Sequence, residues 1–294
     1  MAELPGFWES WFVWREAMAV ALIAAAALAY LGVWVAVKKV TWVPLALSQV
    51  SAVGVVLAFW LHELLGVHQA GDRTLLLALD PAWFSFAVGV AAAVYFGHPR
   101  LGGPRGVVVA YLVASALVLL IGGFVRQDVH DVKSILFGQT VLAELAQVWL
   151  VAVAALAVAV VHFLFYRRFL FASFDPAAAG AAGLRVFGLE VLLYATFAVM
   201  LSAATRTMGA LPAFGLCVLP ALAGLRLARS MPGAFAVAVV VGLAAAGLGY
   251  YFSFTLSMRH AIELSTGGSM VAVAGLLLAL CWGLGRLRHG PRRG

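Results

Sequence analysis

The chain is cut into nine almost uncharged apolar runs, and its basic residues collect in alternate gaps between them. The runs lie near 17–37, 41–61, 83–97, 107–125, 141–165, 187–204, 211–225, 233–252 and 268–285. A helix needs about 20 apolar residues to cross a bilayer core, with about 17–25 the usual range. The runs at 83–97, 211–225 and 268–285 are shorter than that or interrupted by glycine, so about eight or nine spans are expected. With 65% hydrophobic and 11% charged residues, the 294-residue chain has too little polar surface for a water-soluble globule. The expected fold is all-α, a polytopic transmembrane helix bundle. It forms one membrane domain over 1–294, with no soluble domain of useful size.

The basic residues also set the threading. Lys38, Lys39, Arg100, Arg105, Arg167, Arg168, Arg185, Arg226, Arg229 and the tail Arg286, Arg288, Arg292 and Arg293 fall on one side of the bundle. Arg15, Arg73, Arg126, Lys133, Arg206 and Arg259 fall on the other, together with most of the acidic residues. The positive-inside rule then puts the N-terminus outside and the basic tail, 286–294, in the cytoplasm. The net charge of +7 is a topology signal. No basic cluster is interleaved with exposed aromatics, so nucleic acid is not an expected partner.

Before the first span there is no basic region of the kind a cleaved signal carries, and Glu3 and Glu9 stand there instead. Phe7, Trp11 and Trp14 recur at helical spacing, which suggests that residues 1–16 form a short interfacial helix leading into the first span. Cys217 and Cys281 both lie inside apolar runs and read as packing residues.

Three gaps are more than turns. The cytoplasmic gap 167–188 contains Asp175 followed by Pro176, an N-cap with proline in the first helical turn, and then a run of alanines. A short, capped, small-residue helix flanked by arginines is suited to docking a cytoplasmic partner; the alternative is a solvated loop. The external gap Arg126–Gly138 places Asp128, His130 and Asp131 within one short stretch, a donor set that suits zinc or manganese, or else a hydrated outer loop. The gap from His62 to Asp72 carries His62, Glu63 and His68. The zinc-protease pattern needs a second histidine one turn after the first, but that position is Gly66, and His68 is out of phase.

Polar groups within spans are expensive and mark functional candidates. Ser48 and Ser51 share a face of the second span, His62 returns to it near the outer end, and Gln49 lies about 100° away from Ser48. In the fifth span Thr140, Glu144 and Gln147 form a stripe in the outer half. Glu144 is either an intramembrane site or a boundary residue that reaches water. Glu190 opens the sixth span close to the cytoplasmic face, where a structural role is expected, and His162 is expected at the inner interface. No intramembrane nucleophile–base pair is evident.

Several stretches together resemble the permease subunits of bacterial zinc and manganese ABC importers. They are Gly106–Gly138, the FDPAAAGAAG of Phe174–Gly183, the GALPAFGLCVLPALAGLRLA of Gly209–Ala228 and the LSTGGSMV of Leu264–Val271. The segment Val37–Ala58 aligns by pattern, so the resemblance covers most of the chain in order. It implies a dimeric permease of the bacterial inner membrane, with two copies enclosing a central path. A pair of cytoplasmic ABC ATPase subunits would dock on the helix near 175–186, through Asp175, Pro176, Ala178, Gly180, Gly183 and Arg185. An external substrate-binding protein would deliver the ion, and ATP closure would drive alternating access. No covalently bound cofactor is implied. The chain has no G-x-x-x-x-G-K-[ST] loop, so ATP must be bound by another chain.

Family members carry an acid and a histidine four apart in the second span, where this chain has Leu45 and Gln49. A neutral amide does not replace imidazole as a strong zinc ligand. The proline that usually precedes Thr-Gly near the last span is Ser265. Either His62, Asp128, His130 or Glu144 supplies ligands instead, or a permease of this fold moves a non-metal substrate. A secondary transporter or channel that uses Glu144 as its ion site is the reading from a different class.

Overall fold

A computed structural model describes residues 11–65, 80–98, 103–124, 143–260 and 264–289. Within them the chain forms ten helices: α1 (Trp11–Val37), α2 (Trp42–Leu64), α3 (Pro81–Gly97), α4 (Pro104–Gly122), α5 (Leu145–Phe174), α6 (Pro176–Ala181), α7 (Val186–Met208), α8 (Ala210–Leu227), α9 (Met231–His260) and α10 (Thr266–His289). Eight of these are long and apolar enough to cross a membrane. The helix α3, with 17 residues, is a shorter apolar companion. The nine apolar runs of the sequence thus reappear as nine helices in order, with α6 as the additional short element.

The bundle is built around α1, which packs on α5, α7, α8 and α9. Its buried face runs from Trp14 through Ala17, Ala21, Ala24, Ala25 and Leu28 to Trp34. A row of alanines is what lets neighbouring helices approach in a medium where lipid is as apolar as the side chains. Gly32 of α1 lies directly against the backbone carbonyl of Cys217 in α8, so even a methyl group there would overlap it. A second group, α2, α3, α4 and α7, joins the first through α7. Gly54 of α2 sits on the α3 backbone, where an added Cβ would come 2.7 Å from the Phe84 carbonyl oxygen.

Helix ends follow their local chemistry. At the start of α3, Asp80 accepts from the Ala82 N–H at 2.8 Å and Pro81 occupies the first turn. Between α7 and α8 the chain turns on Gly209 at φ 92°, a conformation open to glycine without steric penalty. The aromatic stretch that suggested a separate interfacial helix is, from Trp11 on, continuous with α1; Phe7 and Trp8 lie outside the described residues. The helix α5 also runs past the end of its apolar stretch, through Tyr166, Arg167 and Arg168 to Phe174. Both arginines are exposed.

Candidate functional site

Two polar layers tie the bundle together, one near each end. At the end where α1 finishes and α7 begins, Lys38 Nζ meets Glu190 Oε1 at 2.7 Å, and Lys38 also lies 6.0 Å from the Tyr194 ring centroid. The lysine side chain is 8% exposed and the glutamate 28%. That pairing accounts for a carboxylate at the head of α7. At the opposite end Arg206 Nη1 donates to Asp80 Oδ1 at 2.5 Å, joining the end of α7 to the start of α3.

Between them lies a buried serine node. Ser202 of α7 donates to the Ser85 carbonyl of α3 at 3.1 Å, which leaves its oxygen to accept from Ser51 of α2 at 2.8 Å. Gly89 allows this approach, because a Cβ there would lie 2.9 Å from Ser202 Oγ. Ser48, fully buried, donates to the Leu45 carbonyl of its own helix at 2.9 Å. Gln49 differs from both serines. Its Oε1 is enclosed and accepts no hydrogen bond among the described residues. His62 is buried at the far end of α2, on the face it shares with Ser48 and Ser51.

The stripe on the fifth span is displaced. The helix starts at Leu145, so Glu144 is its N-cap residue, exposed, with no side-chain cap bond. Gln147 falls in the first turn and is half-buried, and Thr140 lies outside the described residues. His68, Asp128, His130 and Asp131 also lie outside them. Among the described residues, no group of three or more His, Cys, Asp or Glu side chains comes together to hold a metal.

Asp175 and Pro176 start α6 as their chemistry requires: Asp175 Oδ1 accepts from the Ala178 N–H at 2.9 Å. The helix is shorter than the 175–186 expected, because it stops in a Schellman turn. There the Leu184 N–H reaches the Ala179 carbonyl at 3.1 Å, the Gly183 N–H reaches Gly180 at 3.0 Å, and Gly183 takes φ 83°. Ala179 is the buried anchor, while Pro176, Ala177, Gly180 and Ala181 are exposed. Arg185 is exposed just beyond the turn. The result is a small, smooth, capped knob between α5 and α7.

His162 corrects an expectation. It is 1% exposed, not interfacial, and sits in an aromatic nest with ring centroids 5.3 Å from Tyr30, 5.7 Å from Trp34 and 5.1 Å from Phe169. Thr196 Oγ1 already donates to the Leu193 carbonyl at 2.6 Å, so His162 Nε2 donates to Thr196 at 3.0 Å. Ring atom Nδ1 is then left enclosed and without a partner among the described residues. The nest was foreshadowed by aromatic spacing at the inner ends of two spans: Tyr30 and Trp34, and His162, Tyr166 and Phe169.

Set beside known proteins, this architecture has clear kin. Residues 11–283 match the ABC 3 transport family. The manganese transport system membrane protein MntC of Listeria monocytogenes is 26% identical over 198 residues, 66% of this chain and 68% of that protein. MntC of Halalkalibacterium halodurans is 27% identical over 198 residues, 66% of each chain. The structure of PsaBC from Streptococcus pneumoniae in complex with Fab contains a chain of the same fold, with a TM-score of 0.76, 18% identity and coverage of 91% of this chain and 90% of that one. The chain belongs to the ABC 3 transport family. It is a multi-pass membrane permease of an ABC transporter.

Proposed function

We propose that this permease imports a divalent metal ion, manganese foremost, by alternating access driven by ATP hydrolysis in a separate pair of ABC ATPase subunits. The observation that carries the coupling half of the reading is α6. It is capped at both ends, exposed on its small-residue face, and joined without slack to two membrane helices. A push on such a knob is delivered to α5 and α7 together. The positive-inside rule puts α6 in the cytoplasm with Lys38, Arg167, Arg168 and Arg185, and the N-terminus outside. Two copies of the chain would enclose the path, and an external binding protein would deliver the ion.

The substrate half draws on the manganese relatives and on the donor chemistry of α2. Where the family resemblance leads one to expect a carboxylate and an imidazole, Leu45 and Gln49 offer one amide oxygen, Oε1, enclosed and unclaimed. Oxygen donors suit the harder manganese ion better than zinc. A single neutral donor binds weakly, which suits an ion that must leave again. Gln49 is therefore the residue proposed to meet the ion, with the Ser51–Ser202 node behind it on α2 and α7. His62, Gln147 and the outer residues His68, Asp128, His130 and Asp131 remain candidates for ion entry.

The test is uptake of radioactive manganese by proteoliposomes containing the permease, its ATPase and its binding protein, with zinc in parallel. ATP-dependent manganese accumulation is expected. Accumulation of neither metal, in vesicles that hydrolyse ATP, would overturn the substrate assignment.

A further inference from the structure

A groove of about 1090 Å³ opens between α1 and α5 on the half of the bundle nearest α6, away from the serine node. Its trough is made by the small side chains Ala26 and Ala27 of α1 and Ala155 and Ala159 of α5. Tyr30 and His162 also line it. Along α5 the lining runs from Ala155 to Arg168, a rise of about 20 Å. The hydrocarbon half-thickness of a bilayer is about 15 Å, so the groove spans one leaflet from near its midplane into its headgroup layer.

Its two ends differ in chemistry. The deep end is wholly apolar, lined by Ile23 and the alanines. The other end is closed by Arg167 and Arg168, both exposed, with no carboxylate in ion-pair contact among the described residues. The Arg168 guanidinium lies 5.5 Å from the Phe165 ring centroid, which keeps it at the rim. Between the ends stands His162, 1% exposed, whose Nδ1 is buried without a partner. It lies about 8 Å deeper than the arginines along the helix axis.

We propose that this groove is a binding site for one anionic phospholipid of the inner leaflet. The phosphate would pair with Arg167 and Arg168, and one acyl chain would lie along the alanine trough. Two arginines over an apolar slot between spans are the charge pattern that recognises an anionic headgroup. A zwitterionic lipid fits the slot but brings a cation of its own to the arginines.

The test uses the full chain purified in detergent, stripped of lipid, and titrated with dioleoyl phosphatidylglycerol or dioleoyl phosphatidylcholine while bound lipid is read by native mass spectrometry. One phosphatidylglycerol per chain is expected to be preferred. Each arginine near a headgroup contributes about a fivefold factor, so Arg167→Gln with Arg168→Gln should reduce the preference about 30-fold. Ala159→Phe, at an exposed position, should fill the trough and abolish retention of either lipid while leaving the fold intact. Competition by millimolar inorganic phosphate should be negligible; full displacement by phosphate would refute a lipid as the occupant. Unchanged phosphatidylglycerol binding in the arginine variant and in Ala159→Phe would overturn the site. So would cross-linking of two copies through Phe163→Cys, at an exposed position lining the groove, with no lipid retained, which would make the groove a contact between permeases.

Discussion

The short helix α6 gives the sharpest test of coupling, because its two ends are held by separate and removable devices. Six residues are too few to be helical on their own, so the knob exists only because both ends are fixed. At its start, Asp175→Ala removes the 2.9 Å bond to the Ala178 N–H, a loss of about 1 kcal/mol for an N-cap. At its finish, Gly183→Ala forces a Cβ into φ 83°, with a penalty of about 1–2 kcal/mol. Nothing else opposes that substitution, since an added Cβ at Gly183 meets no atom within 4 Å. Each change should therefore act by unravelling the knob, lowering its folded-to-unfolded ratio about fivefold or more. If the ATPase reads the folded knob, its apparent Kd for the permease in nanodiscs should rise as the folded fraction falls, by up to the same factor. The thermal midpoint of the permease alone should not move, because Ala179 is the helix's single buried side chain. ATPase affinity within twofold of wild type for both variants would refute the docking role. A parallel fall in midpoint would show that α6 supports the membrane fold instead.

Four further outcomes are expected. Leu45→Asp combined with Gln49→His restores a carboxylate and an imidazole one helical turn apart, and should strengthen manganese and zinc retention in equilibrium dialysis; no gain would mean that this flank of α2 faces away from the path. Glu144→Gln should leave manganese uptake within twofold of wild type, since Glu144 is an exposed residue ahead of α5, and a collapse of uptake at normal expression would return it to the path. Lys38→Met should lower the midpoint by stranding Glu190, a destabilisation of about 2 kcal/mol for a partly buried pair, whereas Lys38→Met with Glu190→Leu should recover part of it in a double-mutant cycle. Gly32→Ala should destabilise by at least about 1–3 kcal/mol in thermal melts by detergent-phase chromatography, because its methyl overlaps the Cys217 carbonyl; an unchanged midpoint would show that α1 and α8 part freely.

How far the sequence led depended on the range of each interaction. Spans were legible because bilayer thickness imposes one length on every run, and even the short α3 appears where its run stood. The knob was legible because Asp175 and Pro176 act on their own neighbours. Its C-terminal limit was not, although Gly183 carries it, because a second glycine, Gly188, lay further on as another stopping point. Hydropathy leaves Glu144 either inside a span or at its boundary, because it marks only where a helix can be buried, and the backbone starts α5 at Leu145. The ion pairs Lys38–Glu190 and Arg206–Asp80 join residues more than a hundred positions apart. No local pattern pairs them, and the positive-inside bias had counted the two cations as topology signals alone. His162 failed for the same reason: a single histidine near a span end looks interfacial until three helices close around it.

The long-range contacts also give the coupling a physical route. The helix α7 begins just after α6 and carries Glu190, Thr196, Ser202 and Arg206 along its length. Through them it is fastened in turn to Lys38 just past the end of α1, His162 of α5, Ser51 and Ser85 of α2 and α3, and Asp80 at the far end. A displacement of the knob therefore cannot move α7 alone. It must carry the serine node with it or break buried hydrogen bonds, each broken one leaving a polar group unsatisfied at about 1–3 kcal/mol. Gln49 sits on α2 two residues from Ser51, so its free Oε1 moves with that node. If Gln49 meets the ion as proposed, a weak neutral donor on the element that moves would let the ion be held in one arrangement of the helices and released in another, with no strong ligand to be stripped.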